Sequence, residues 1–473
     1  MQTILLKPFR LLPLLTVLLL AGCTTTKNTP MSVAVTPPPP PAYGPEVIKQ
    51  RILESEKLNN RFIGFVLYDP ALGKAVVEHN ADKYFVPASN TKLFTYYACI
   101  KMLGDSIPAL KYVVRGDSLI FWGTGDPTFT HMDLKNSLAY DFLKNRKEKL
   151  FYVETPMTST PFANNWGWDD YNYYYQPERS VFPIHGNIVK FARTGRTSTP
   201  VPSNNGSVWV NVNHGNSFST TPAIFKAGIK TDTTRAAHGD SFVRAWRTNE
   251  LTFFPKLANP NFSVEVPFIP SPDMTVRLLA DTLKKKVTLL KRPMPKGGTT
   301  FYGLPSDSVY KRMLQVSDNL FAEQLMVLCS GTLSDTLSVE RAIKHVVKNY
   351  LSDLPDAPVW VDGSGLSSMN MFTPRTIIAL LQKLQQERPT DQLLPMMATG
   401  GRPGTFRNIY KAEPPYVFGK SGTLAHVHNQ SGYIKTKSGK LLLFSFMNNN
   451  FKGSSTDIRN EMVRIMTEVH EKY

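Results

Sequence analysis

Three short stretches of this 473-residue chain hold residue types that could do chemistry together. The first is Pro87-Ala88-Ser89-Asn90-Thr91-Lys92-Leu93-Phe94-Thr95, which reads as a loop feeding a helix with Ser89 at its start. A serine at i and a lysine at i+3 share one helix face, one turn apart. The Lys92 amine can then take the proton of the Ser89 hydroxyl, provided the site keeps that amine neutral. A serine beside a base at the positive end of a helix is an activated nucleophile. The second stretch, Ser317-Asp318-Asn319, opens another apolar helical run. The third, Lys420-Ser421-Gly422-Thr423, follows the strand-like Tyr416-Val417-Phe418.

Each motif recurs, so context has to choose between copies. Ser308-Val309-Tyr310-Lys311 repeats the serine–lysine spacing. Ser203-Asn204-Asn205 sits in a turn before the alternating run 207–213, and Ser368-Met369-Asn370 sits in a Gly/Ser loop. Lys437-Ser438-Gly439 falls between the strand-like runs 432–434 and 441–446, where a hairpin turn is expected. Order and surroundings select Ser89, Ser317 and Lys420 as the working set. Ser-x-x-Lys, Ser-Asp-Asn and Lys-Ser/Thr-Gly in that order resemble the three signatures of the penicillin-interacting serine enzymes.

The elements that must position these residues follow from periodicity. Residues 46–59 read as a helix, 62–68 and 75–78 as strands about a turn, and the Ser89 helix runs to about residue 103. Far more chain separates Ser89 from Ser317 than a loop needs. Alternation in 207–213 and 262–268 marks that chain as a largely β insertion, residues 113–305. Between Ser317 and Lys420 the pattern is mostly helical. Strands and a last helix, 455–471, close the chain, so 45–112 and 306–473 form one split domain.

The N-terminus reads as a targeting segment. Lys7 and Arg10 precede the apolar run 11–20, and residues 1–22 end in Leu20-Ala21-Gly22 before Cys23, the pattern of an export signal. About 10 apolar residues are too few to span a bilayer. Residues 23–44, with Pro37 to Pro41 consecutive, make an extended spacer. The formal net charge of +17 reads first as a basic solvated surface, one that would attract anionic envelope polymers and lipids, and no Cys-rich, Gly-rich or repeat signature points to nucleic acid. Cys99 and Cys329 lie in apolar helical runs and read either as a disulfide or as two buried thiols.

The mature chain resembles the penicillin-binding protein 4 family of D-alanyl-D-alanine carboxypeptidases and endopeptidases. Beyond the three motifs, the resemblance rests on Gly123-Thr124-Gly125-Asp126-Pro127, Trp166-Gly167-Trp168-Asp169-Asp170, residues 362–367 (Asp-Gly-Ser-Gly-Leu-Ser) and Gly404-Thr405. It implies an α/β penicillin-recognising, transpeptidase-like fold, an antiparallel sheet with flanking helices, split by the β-rich insertion. It implies Ser89 as acylated nucleophile, Lys92 as base, Ser317 as proton donor to the leaving amine and Asn319 as a holder of the peptide backbone. Lys420 and Ser421 would bind the terminal carboxylate, and the N–H groups of Ser89 and Thr423 the oxyanion. Burial and the nearby cation Lys420 would keep Lys92 neutral. Asp170 and Tyr175 would meet the peptide stem, unless the tyrosines from 171 to 175 pack as core.

The implied partners are peptidoglycan peptides, with β-lactams as inhibitors and no cofactor. The ending Leu-Ala-Gly-Cys resembles a bacterial lipoprotein box, which implies acylated Cys23 and a periplasmic protein; Thr24 in place of Asp implies the outer membrane. Two departures stand out: Ser368 where the family often has Arg, and His426 and His428 after Thr423-Leu424. Two histidines without further ligands make no metal site. The rival readings are a serine β-lactamase, against which no added Glu-led deacylation loop is recognisable, and a catalytically silent wall-binding lipoprotein.

Overall fold

Strands buried on both faces build a six-stranded antiparallel sheet. In the computed structural model, which describes residues 43–134, 137–193, 198–203, 206–211, 217–234 and 239–473, its strands lie in the order Ala398–Thr399, Val417–Leu424, Val427–Lys435, Leu441–Asn449, Phe62–Asp69, Lys74–His79. The export signal, Cys23 and the run Pro37 to Pro41 lie outside the described residues. Successive side chains of a strand point to opposite faces. Phe65, Leu67, Ile434, Leu442, Phe444 and Phe446 therefore pack on the helices Pro45–Leu53 and Ser455–Lys472. Val66, Tyr433, Leu443 and Met447 turn the other way, toward Thr91–Met102 and Pro374–Glu387. The first helix stops at Leu53, short of residue 59, where Ser55 and Asn59 form turns instead; Ser55 accepts from the amides of Leu58 and Asn59.

Two helices are buried almost all round, as a central helix must be to stay apolar on every side. They are Thr91–Met102, which follows Ser89, and Asn319–Gly331, which begins at the second motif. Cys99 and Cys329 face each other between them as free thiols, with Sγ atoms 3.9 Å apart. That is well beyond a disulfide bond length.

The insertion begins near residue 106 and not at 113, because the strand Ser106–Arg115 pairs within its sheet; its own core includes Leu110, Phe121, Phe182, Phe191 and Phe242. Its five-stranded sheet runs Val287–Leu289, Lys149–Tyr152, Ser118–Gly123, Ser106–Arg115, Thr299–Pro305. The first three strands are parallel, a pairing that requires crossovers; the helices Leu138–Asn145 and Pro272–Leu283 lie in them. Two three-stranded sheets and the hairpin 198–203/206–211 complete it. Entry and exit are tied together, since the amide of Ser306 donates to Asp105 O (2.9 Å) and its hydroxyl to Gly104 O (2.6 Å). Among the described residues no helix is long and apolar enough to cross a membrane.

Candidate active site

Ser89 sits in a single 3-10 turn, Ala88–Asn90, that leads into Thr91–Met102. Ala88 holds φ +48°, a left-handed conformation that costs a non-glycine residue energy and persists only where neighbours enforce it. Two glycines do so. A Cβ on Gly365 would overlap the Ala88 carbonyl, and one on Gly422 would stand 2.7 Å from the Ser89 nitrogen. The third motif needs its glycine because its strand runs against the nucleophile turn.

Lys92 is fully buried. Its Nζ lies 2.9 Å from Ser89 Oγ, 2.7 Å from Asn319 Oδ1 and 2.7 Å from the carbonyl oxygen of Ser364. An ammonium donates to all three. A neutral amine has two hydrogens and one lone pair. Asn319 and Ser364 can only accept at these atoms, so they take both hydrogens and the lone pair is left facing Ser89. Burial pushes the Lys92 amine down to about 8, against the opposing charges of Asp362, Glu323 and Asp318.

The second motif has a division of labour. Asp318 caps the helix, its Oδ1 accepting from Phe321 N at 3.1 Å, while Oδ2 pairs with Arg312. Ser317 takes φ +65°, and its hydroxyl accepts from Lys420 Nζ at 2.8 Å. Asn319 donates through Nδ2 to Tyr175 O at 2.8 Å, which leaves Oδ1 for Lys92. Lys420 is fully buried as well. Burial first, and the charge of Lys92 second, hold its amine well below the ordinary lysine value. The repulsion anticipated on Lys92 therefore falls on Lys420, and burial alone is what lowers Lys92.

Beside Ser317 and Asn319 opens a cavity of about 390 Å³, lined by Tyr174, Tyr175, Asp133, Arg312 and Glu265 among others. Tyr175 donates to Asp170 Oδ1 at 2.8 Å, so the carboxylate orients the ring next to Asn319. Tyr173 and Tyr174 are exposed; these tyrosines form a rim and not a core. Ser421 is half-buried and Thr423 exposed on the same strand. His428 is buried, and burial lowers its pKa to about 4. Gln430, whose Oε1 is taken by Tyr410, donates to His428 Nε2 (3.2 Å), so Nδ1–H donates to Thr423 Oγ1 at 2.8 Å. His426 instead contacts Phe451 O. Among the described residues no group of three metal-ligating side chains gathers. A larger cavity, about 860 Å³, touches Glu178 and Arg179 but none of the three motifs.

The motif copies stand apart. Ser308 and Lys311 are exposed on the helix Ser306–Gln315, and Lys437 lies exposed in the hairpin turn. Ser203 ends a hairpin strand, and Ser368 is exposed, accepting from Asn165. Sequence reasoning missed the carbonyl of Ser364, which has no residue-type signature, and the buried pair Arg179–Glu323 behind it.

A serine–lysine dyad, a second serine and a buried lysine on a sheet edge define a penicillin-recognising serine enzyme. The family described as D-Ala-D-Ala carboxypeptidase 3 (S13) matches residues 46–469, and the chain belongs to it. The chain is 24% identical to the D-alanyl-D-alanine carboxypeptidase of Actinomadura sp. (strain R39), covering 92% of this chain and 87% of that one. It is 22% identical to the D-alanyl-D-alanine carboxypeptidase DacB of Haemophilus influenzae, covering 81% and 84%. The crystal structure of penicillin binding protein 4 from Haemophilus influenzae superposes with TM-score 0.68 at 18% identity, covering 90% of this chain and 99% of that one. The shared fold is that of a penicillin-recognising domain.

Proposed function

We propose that the chain cleaves the terminal D-alanine, and the D-alanine cross-link, of peptidoglycan stem peptides through an acyl-enzyme on Ser89. The observation that carries this is the fully buried Lys92, hydrogen-bonded to Ser89 with both other acceptors in place. Lys92 takes the Ser89 proton as Oγ bonds to the scissile carbonyl carbon. The N–H groups of Ser89 and Thr423 receive the oxyanion, a term of ~2.7–4 kcal/mol per donor. Ser317, bridged to Lys420, passes a proton to the leaving amine as the C–N bond breaks, and the proton that Lys92 took from Ser89 replaces it, so that Lys92 is neutral again for hydrolysis. The substrate carboxylate, bound by Lys420 and Ser421, would restore the charge that burial takes from Lys420. Water then hydrolyses the ester. Asp170 and Tyr175 would meet the stem.

The carboxylates nearest the dyad are already committed. Glu323 accepts from Arg179 and Ser364 N, and Asp362 from Trp166, Gly365, Ser367 and Asn370. This favours slow release of a penicilloyl group over a β-lactamase. Incubation with fluorescent penicillin should leave a lasting label on Ser89, and wall fragments should lose D-alanine by mass. Rapid turnover of the label would indicate a lactamase instead, and no label a silent binder.

Placement rests on the sequence: a lipidated Cys23 holding the enzyme in the periplasm, at the outer membrane. Cys23→Ser should release a soluble or unprocessed protein. A variant that still fractionates with membrane at mature size would exclude the anchor.

A further inference from the structure

We infer that Arg179 and Glu323 are positioning residues for the base, aiming the lone pair of Lys92 at Ser89 through the carbonyl of Ser364. The inference rests on Lys92 being that base.

The connection is unbroken and buried. Arg179 donates through Nε (2.9 Å) and Nη2 (2.6 Å) to Glu323 Oε2, with both side chains at most 1% exposed. Glu323 Oε1 accepts from the amide of Ser364 at 2.7 Å. The carbonyl of the same residue accepts from Lys92 at 2.7 Å. With Oε2 held by two Arg179 donors and Oε1 by the Ser364 amide, the carboxylate has one orientation, so it fixes the Ser364 peptide, and the peptide fixes one hydrogen of the amine. Arg179 belongs to the insertion and Glu323 to the Asn319 helix. Trp166, also of the insertion, stacks 5.5 Å from Arg179 and donates to Asp362. The insertion thus reaches the base without touching it.

The pair also sets the charge around Lys92. The groups facing it are Asp362 from the Ser364 loop, Glu323 and Asp318 from the Asn319 helix, and Lys420 from the third-motif strand. Asp318 is paired with Arg312, and Asp362 is held by its own hydrogen bonds. Glu323 is neutralised by Arg179.

Opposite pH shifts test this, because a scaffold role would not produce them. In Arg179→Met the Glu323 charge stands uncompensated and favours the ammonium form of Lys92. The rise of acylation rate with pH should move up by about one unit, about tenfold less rate at pH 7. In Glu323→Gln the rise should move down, with a lower plateau because the Ser364 peptide is freed. Arg179→Lys should restore the position of the rise but not the plateau, since the fork is lost. Acylation is followed with a chromogenic penicillin, and folding by circular dichroism.

Folded single variants with unmoved or same-direction profiles overturn the inference. Should either single variant fail to fold, Arg179→Met/Glu323→Gln decides: a lowered plateau supports the inference, and an unchanged plateau refutes it. Normal acylation in Lys92→Ala would instead remove the base assignment itself.

Discussion

At the Ser89 hydroxyl, reactivity turns on which group holds its proton. Ser89→Ala should abolish covalent penicillin binding, since among the described residues no other hydroxyl contacts Lys92; a stoichiometric label in that variant would overturn the assignment. Lys92→Ala should keep the fold and lower acylation by about 10²–10⁴. Lys420→Ala should weaken capture of the substrate carboxylate and leave the pH dependence of acylation in place, because burial and not Lys420 lowers Lys92. A profile that moves to higher pH, measured from pH 6 to 10, would show that the Lys420 charge also holds Lys92 neutral. The residue types were legible because serine and lysine at i and i+3 share a face wherever a helix forms. The acceptor on Ser364 was not, because any residue type supplies a carbonyl. Nor was Arg179–Glu323, a contact between residues 144 apart with no local pattern.

At the scale of elements, the nucleophile turn, the Asn319 helix and the third-motif strand meet where glycine lets backbones touch. Gly422→Ala would place a Cβ 2.7 Å from the Ser89 nitrogen and 2.6 Å from Pro87 O. Neither neighbour is a flexible side chain, so the turn must shift. Acylation should fall at least about tenfold while the protein stays folded, since a displacement at the reacting atoms is costly. A normal rate with penicillin would show that the turn tolerates the methyl group. By contrast Ser308→Ala and Lys437→Ala, both on exposed surfaces, should label like the parent. Context separated these copies in the sequence: a hairpin turn between two apolar runs is readable locally. Alternation also disclosed two strands of the insertion, Gly206–Asn211 and Phe262–Pro267, while residues 212 and 213 of the first run lie outside the described residues. The order of the insertion's strands and their parallel pairings were not readable, because they are set by crossovers that bring distant segments together.

At the scale of the whole molecule, the insertion is a second core joined to the first through apolar side chains such as Val181 as well as buried polar groups, and a buried carboxyl within it makes folding depend on pH. Asp126, in the Gly-Thr-Gly-Asp-Pro stretch of the insertion, is almost fully buried, and among the described residues its hydrogen bonds come from Thr128 (2.9 and 2.8 Å). Burial raises its carboxyl to about 7, with the Thr128 bonds opposing. The folded state therefore binds a proton that the unfolded chain releases near pH 4. The stability this provides is fully present below the unfolded pKa and is lost as pH rises through about 7. Asp126→Asn keeps both hydrogen bonds, with the amide donating to the Thr128 hydroxyl, and removes the titration. Relative to the parent it should be more stable at pH 8 than at pH 4, by about 1.4 kcal/mol for each unit of the parent's shift. Urea unfolding of both proteins at the two pH values measures the difference. An equal effect of the substitution at pH 4 and pH 8 would mean that Asp126 is ionised in the folded protein and that burial has not displaced its proton equilibrium.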